Sequence, residues 1–247
     1  MEFHIAIAPE QITQWWGLPI TNTLLSSWMA MAVLIVFSLL VSRGLSFKPG
    51  KFQNFIEMIF EYVIDFMEHT FGDRKIARLF FPFVTTLFLF IWVSNWLEFL
   101  PGFGSIGLAG ECGKAVCEPL FRSANTDLNV TIALAAAAMG ATEIAGLWYL
   151  GAFGYLKKFF DFSGPLNFFI GLIELVSEAA RLISFSFRLF GNIFAGEVLI
   201  IVMTAFLPIA LPVPFMLFEL FVGFIQAAIF ALLTLFFIKI AITEKGH

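Results

Sequence analysis

LNFFIGLIELVSEAARLISFSFRLFGNIFAGEVLIIVMTAF, residues 166–206, is the longest apolar or weakly polar run in the chain and decides its fold class. No proline interrupts this run, and no turn signal divides it before Gly191. As a helix it would measure about 60 Å, which is twice the hydrocarbon thickness of a bilayer. The run therefore predicts one long helix, steeply tilted in the membrane, with Gly191 or Gly196 as the place for any bend.

The composition assigns the whole chain to the same class. Of the 247 residues, 60% are hydrophobic and 13% are charged, and the mean hydropathy is +0.93. A soluble domain carries about 25% charged residues. The apolar runs are continuous, whereas a membrane β-barrel would show short alternating segments. We predict an all-α polytopic membrane protein with a single membrane domain (1–247), no nucleic-acid partner and no phosphate-binding loop.

The remaining segments complete a predicted topology of five membrane crossings. Shorter spans are predicted at 24–41, 79–100 and 128–150, and a last helix at 215–240 forms a long hairpin with the 166–206 helix. Residues 52–71 carry acids at three- and four-residue spacing, which indicates an amphipathic helix at the interface rather than a span. A short loop is expected from Gly151 to Pro165, and segments 1–23 and 101–127 are expected outside.

The orientation follows from the distribution of lysine and arginine. One side of the predicted topology holds ten of these residues and the other holds two, Lys114 and Arg122. Because cytoplasmic loops are enriched in positive charge, the N-terminus is expected outside and the C-terminus in the cytoplasm. Asn95 and Glu98 then fall near the outer end of the second span, where a polar side chain can reach interfacial water.

The cysteines and histidines give little chemistry. Cys112 and Cys117 lie in one polar loop, and both a small disulfide and two free thiols remain open for them. The three histidines form no metal-ligand spacing, so we predict no metal site.

Ionisable side chains inside the last two helices are the strongest functional signal. A charge at membrane depth costs about 2.5 to 3.5 kcal/mol on insertion scales, so such residues mark functional sites. At 100° per residue, one helix face carries Glu174, Arg181, Arg188 and Asn192. Glu197 lies nine residues beyond Arg188 and points to the opposite side. Glu219 and Gln226, seven residues apart, share a face of the last helix.

The two arginines of this stripe differ in their local partners. Arg181 follows Glu178 by three residues, which predicts a structural ion pair. Arg188 has no acid three or four residues away in either direction, so its carboxylate must come from elsewhere. A guanidinium cannot be deprotonated in a protein, which suits a charge that must not itself carry protons.

Four motifs together resemble the F-type ATP synthase subunit a family. Arg188-Leu-Phe-Gly-Asn192, followed by Ala195-Gly-Glu197, resembles the family signature. Three further stretches are similar to family segments: Asn95 to Pro101, Ser123 to Thr131, and Gln226 to Phe230. The resemblance covers most of the chain.

The resemblance implies a stator that faces a ring of c subunits and is joined to peripheral stalk b subunits and the remainder of the ATP synthase. Arg188 takes the place of the essential arginine opposite the ring carboxylate, between two offset half-channels. The implied proton path runs through Glu174, Asn192, Glu197, Glu219 and Gln226. The subunit would bind no nucleotide or other cofactor and would not be an enzyme by itself. A bacterial plasma membrane is expected, an organelle inner membrane is also consistent, and Na⁺ stays open as the coupling ion.

One departure and two alternatives accompany this interpretation. Some relatives carry histidine at the place of Glu219, whereas here Glu197 and Glu219 are both acids that could share a proton. A proton- or cation-coupled secondary transporter is the first alternative, but it usually shows two similar halves, and the sequence has no internal repeat. The second is a structural membrane scaffold, which would not require an unpaired Arg188.

Overall fold

The computed structural model describes residues 9–15, 17–46, 48–100, 107–108, 118–159, 164–208 and 210–243, and Cys112 and Cys117 lie outside these ranges. The described elements are strands β1 (Gln11–Trp15) and β2 (Leu18–Thr21), helices α1 (Asn22–Arg43), α2 (Lys51–Phe71) and α3 (Arg74–Leu97), strands β3 (Gly107–Leu108) and β4 (Glu118–Pro119), a 3₁₀ helix (Ala124–Thr126), and helices α4 (Leu128–Phe159), α5 (Pro165–Phe206) and α6 (Pro212–Thr243). All the α-helices except α2 are long and apolar enough to cross a membrane, which confirms the predicted fold class.

Helices α5 and α6 form the predicted hairpin. Helix α5 runs unbroken for 42 residues, so the single long helix is confirmed, while its tilt in the membrane stays a prediction. It begins at Pro165, where a missing N–H does no harm because the first N–H groups of a helix lack partners in any case. Helix α6 begins at Pro212, three residues before the predicted start, for the same reason.

Helix α3 begins five residues earlier than the sequence predicted. The side chain of Asp73 accepts a hydrogen bond from the backbone N–H of Lys75 at 2.7 Å and caps the helix start. Pro82, which falls in the first turn of the predicted 79–100 span, therefore lies inside the helix.

Helix α2 agrees with the predicted amphipathic helix. It is not among the helices that could cross a membrane, and its buried residue, Met67, packs into a cluster formed with α3, α4 and α6. Gly72 ends the helix in the left-handed conformation, with φ of 79°.

Helix α4 continues where the sequence predicted a loop. Gly151, with φ of 76°, interrupts the helical backbone, and helix resumes as far as Phe159. The buried ring of Tyr155 then lies against Gly146, and its hydroxyl donates a hydrogen bond to Glu143. The predicted loop was wrong over these residues because the aromatic side chains find partners on α4 itself.

The segment before α1 forms a β-hairpin that the sequence analysis missed. Strand β1 pairs antiparallel with β2, and Gly17 in the turn has φ of 81°. The hydroxyl of Thr21 then caps α1 by accepting from the N–H of Leu24 at 3.3 Å.

The core lies where α3, α4, α5 and α6 meet. Its buried side chains are Leu87, Ile91, Ala135, Ala138, Phe185, Leu189, Ala227 and Phe230. The small residues of α4 allow close helix packing, as the alanine-rich sequence predicts.

Candidate functional site

Ionisable residues that contact α5 form two groups, which lie on either side of Arg188 along the helix. We call the first the three-carboxyl cluster, formed by Glu98, Glu197 and Glu219. The second is the Glu174–Arg181 pair. Glu197 follows Arg188 by nine residues, or about 14 Å of helix, and Arg181 precedes it by seven, or about 11 Å.

The three-carboxyl cluster sits where Glu219 of α6 lies against α5. Glu219 is 7% exposed, and its carboxylate lies against the backbone of Gly196. A Cβ at Gly196 would be 1.7 Å from Glu219 Oε1, so any larger residue there would displace the carboxylate. Glu197, next in sequence, accepts a hydrogen bond from Arg122 Nη2 at 3.1 Å. The helical spacing predicted neither the contact between the hairpin helices nor the arginine.

Glu98, the residue that follows α3, completes the cluster. Burial raises the pKa of Glu98 to about 8, and the negative charges of Glu197 and Glu219 contribute in the same direction. The nearby hydroxyl of Ser123 and the charge of Arg122 oppose this rise. A carboxyl with a pKa near neutrality can both accept and release a proton under physiological conditions.

Two asparagines, Asn95 and Asn125, join the elements that carry the cluster through buried hydrogen bonds. Asn95 is 2% exposed and donates from Nδ2 to the carbonyl of Gly223 at 3.1 Å. It also accepts from Asn125 Nδ2 at 2.6 Å. The expectation that Asn95 reaches interfacial water was therefore wrong, because it links α3 to α6 and to the 3₁₀ helix inside the bundle.

The Glu174–Arg181 pair lies in the first half of α5. Arg181 Nη2 donates to Glu174 Oε1 at 3.2 Å, and its guanidinium carbon is 5.1 Å from the ring centroid of Phe237 on α6. Glu174 and Arg181 therefore share a face, as their seven-residue spacing predicts. The predicted pairing of Arg181 with Glu178 stays a prediction.

Arg188 is exposed on the outside of the helical bundle. The next residue, Leu189, is completely buried in the core, so the face of α5 that packs in the bundle is the one that carries Leu189 and not the one that carries Arg188. Arg188 makes no ion pair or hydrogen bond to any residue that the structure describes. Asn192, one turn further along, is half-buried.

Gln226 lies seven residues, about two helical turns, beyond Glu219 on α6. Because α5 and α6 run antiparallel and Glu219 meets Gly196, a step of seven residues brings Gln226 near the level of Leu189. Its side chain is 6% exposed, and its Nε2 atom is buried without a hydrogen-bond partner in the described chain; the same holds for Glu219 Oε1 and Glu98 Oε2. Buried polar atoms of this kind are satisfied by ordered water, so the interior next to Arg188 is suited to hydration.

Two residues of this arrangement, Glu98 and Arg122, were not among the site residues predicted from the sequence. Glu98 was assigned to interfacial water and Arg122 only to the outer side. Glu98 lies inside the recognised stretch Asn95 to Pro101, and Arg122 immediately precedes the stretch Ser123 to Thr131. One sequence signal could have found them. A buried acid needs a cation, and Arg122 is one of only two basic residues on the predicted outer side.

Comparisons with known proteins agree on one family. A family model described as "ATP synthase A chain" matches residues 24–239. The chain is 34% identical to the protein named "ATP synthase subunit a, sodium ion specific" of Propionigenium modestum over 243 residues, covering 97% of this chain and 80% of that one. It is 33% identical to "ATP synthase subunit a" of Geotalea daltonii, covering 90% and 87%. The protein of the same name from Moorella thermoacetica is 32% identical, covering 94% and 95%.

Proposed function

The chain belongs to the ATP synthase A chain family, and on that premise we propose that it is the proton-conducting stator of a rotary ATP synthase. It works against a rotating ring of c subunits, is held still by peripheral stalk b subunits, and passes protons to and from the ring. The nucleotide chemistry takes place elsewhere in the enzyme.

The observation that carries this proposal is the exposed position of Arg188. A lone guanidinium facing lipid is unfavourable by several kcal/mol, and its side chain has no ion-pair partner within the described chain. A carboxylate on a separate subunit at the same depth would remove that penalty. The proton-binding carboxylate of a c subunit supplies such a group.

The surface around Arg188 suits a partner that slides past. Four residues of α5 that lie about one or two turns from Arg188 are small and at least partly exposed: Ala180, Ser184, Gly191 and Ala195. Small side chains at these places let a helix of the ring approach closely beside Arg188.

The two polar places on either side of Arg188 serve as the inner ends of two half-channels. The three-carboxyl cluster belongs to the outer path, because it lies where α3 ends and α4 begins, on the side predicted to be outside. The Glu174–Arg181 pair belongs to the cytoplasmic path. Asn192 and the buried Gln226 lie between the cluster and the pair, and their amide groups bind the water through which protons reach the ring. Their offset along α5 prevents a direct proton leak.

Each proton then follows a cycle with the ring. A proton from the outer path neutralises a ring carboxylate, which leaves Arg188 and enters the lipid as a neutral group. A carboxyl arriving from the other side releases its proton to the cytoplasmic path, because the positive charge of Arg188 favours the ionised form. Arg188 thus couples proton passage to rotation without being deprotonated.

We place the N-terminus outside and the C-terminus in the cytoplasm of a bacterial plasma membrane, from the lysine and arginine bias. The name of the Propionigenium relative states sodium specificity for that protein. The coupling ion is therefore tested directly by measuring ATP-driven transport with and without Na⁺. If protons are the coupling ion, ATP-driven proton transport should persist without Na⁺.

Cysteine cross-linking tests which face of α5 meets the ring. Ser184 is exposed and Ser186 is buried, so Ser184→Cys and Ser186→Cys are matched substitutions on one helix. In the assembled complex, with a single cysteine placed one turn from the c-subunit carboxylate, Ser184→Cys should form the a–c cross-link and Ser186→Cys should not. A cross-link through Ser186→Cys alone would refute the proposed face.

A further inference from the structure

Arg122 reaches from the segment before the 3₁₀ helix into the three-carboxyl cluster. Its Nη2 is 3.1 Å from Glu197 Oε2, and the two side chains are 10% and 24% exposed. The residues are 75 positions apart in sequence, so the pair joins the outer segment to α5. An ion pair this buried responds strongly to loss of one partner, unlike a surface pair.

The charges around the cluster are unbalanced. Helix α5 contributes Glu197, α6 contributes Glu219, and the end of α3 contributes Glu98. Among the residues that the structure describes, the charged groups that act on Glu98 are the two other carboxyls and one cation, Arg122. Three carboxyls so close together are not all ionised at neutral pH beside the one positive charge that the described residues supply. At least one of them therefore holds a proton, and the cation influences which one.

We propose that Arg122 is a positioning residue of the outer path, which holds Glu197 as a fixed ionised group and leaves the mobile proton to Glu98 and Glu219. This inference rests on the proposed function and makes it more specific. Glu197 then acts as a permanent counter-charge, and Arg122 sets the pH range in which the cluster takes up protons. The proton is only relayed, so no bond other than O–H is made or broken.

The charge balance gives the direction of the effect. Replacing Arg122 with a neutral side chain removes the charge that opposes the raised pKa of Glu98, so the cluster keeps its proton to higher pH. Replacing Glu197 as well removes one negative charge, and the two changes nearly cancel at Glu98. A lysine at position 122 keeps the charge and restores most of the behaviour.

The experiment is ATP synthesis by the whole complex in proteoliposomes at a fixed driving force, with the pH on the outer side varied. Arg122→Gln should move the alkaline limb of the profile upward by about one pH unit or more. Arg122→Lys should follow the wild type. Arg74→Gln is the matched control, since Arg74 pairs with exposed acids of α2 outside the cluster and should leave the profile unchanged.

The double variant Arg122→Gln/Glu197→Gln keeps the inference testable if the single variant fails to assemble, because it leaves no unpaired carboxylate. It should synthesise ATP with an alkaline limb near that of the wild type. An assembled double variant that is inactive at every pH would show that Glu197 itself carries the proton and would overturn the inference. A profile of Arg122→Gln that keeps its shape and loses only amplitude would overturn it too. Arg188→Ala in the same vesicles separates the two proposals, because ATP synthesis by that variant refutes the proposed function.

Discussion

Gly196→Ala tests the contact that brings Glu219 to the hairpin. The added Cβ would lie 1.7 Å from Oε1 and 2.0 Å from Cδ of Glu219, so the carboxylate would have to move by about 1.5 Å to reach ordinary contact. Overpacking costs about 1–3 kcal/mol, and the better helix propensity of alanine returns about 1 kcal/mol of that. The complex should therefore assemble.

The expected consequence is a loss of proton pumping rather than of the subunit. Misplacement of a reacting group by 1 Å can reduce a rate about 100-fold, so we expect ATP-driven acidification of inverted membrane vesicles to fall by one to two orders of magnitude. Gly140→Ala is the matched control, because a Cβ there meets nothing within 4 Å. The amount of assembled complex is measured in each membrane preparation.

A second substitution makes the test sharper. Glu219→Asp shortens the side chain by one C–C bond, about 1.5 Å, which matches the displacement that Gly196→Ala requires. The double variant Gly196→Ala/Glu219→Asp should pump protons better than Gly196→Ala alone, because the shorter side chain leaves room for the added Cβ. Pumping by Gly196→Ala equal to that of Gly140→Ala would refute the idea that the position of Glu219 is critical.

Three further predictions concern stability and are read from the melting temperature of the detergent-solubilised complex. The folded-state pKa of Glu98 is raised from 4.5 to about 8, so between these pH values the folded chain binds more protons than the unfolded chain. Stability should therefore fall as pH rises from about 5 to 8, and Glu98→Gln should flatten this pH dependence. A melting temperature of Glu98→Gln that changes with pH as steeply as that of the wild type would contradict the raised pKa. Asn95→Ala removes two buried hydrogen bonds and should lower stability by about 2–4 kcal/mol, whereas a melting temperature equal to that of the wild type would mean that water replaces them. Gly146→Ala places a Cβ 2.3 Å from the ring of Tyr155 and should lower the melting temperature, while Gly140→Ala should not; equal values would show that the ring moves aside easily.

Much of the fold could be predicted because membrane helices are specified by local composition. The unbroken run before Leu207 fixed the length of α5, and the acid spacing after Lys51 distinguished α2 from a span. The errors occurred where a single side chain decides a boundary. Asp73 caps α3, which therefore begins five residues before the predicted span. Tyr155 lies beyond Gly151, which looked like the start of a loop, and its hydroxyl finds a partner on α4.

The candidate site was predictable only within one helix. Helical spacing placed Glu174 and Arg181 on one face, and the structure pairs them. It also showed that Arg188 lacks a local acid. The three-carboxyl cluster was beyond that reasoning, because Glu98 and Arg122 come from other parts of the chain and their proximity depends on how the helices pack. Periodicity compares residues along one element and carries no information about contacts between elements.

Arg188→Ala in membranes containing the whole complex tests the central claim most directly. ATP-driven proton pumping is measured first, and passive proton conductance is then measured after the catalytic head has been removed. If Arg188 couples proton passage to rotation, pumping should stop while the complex still assembles, and Arg43→Ala, on the far end of α1, should pump like the wild type. Pumping by Arg188→Ala near the wild-type rate would contradict the account, because the exposed arginine would then be only a structural charge.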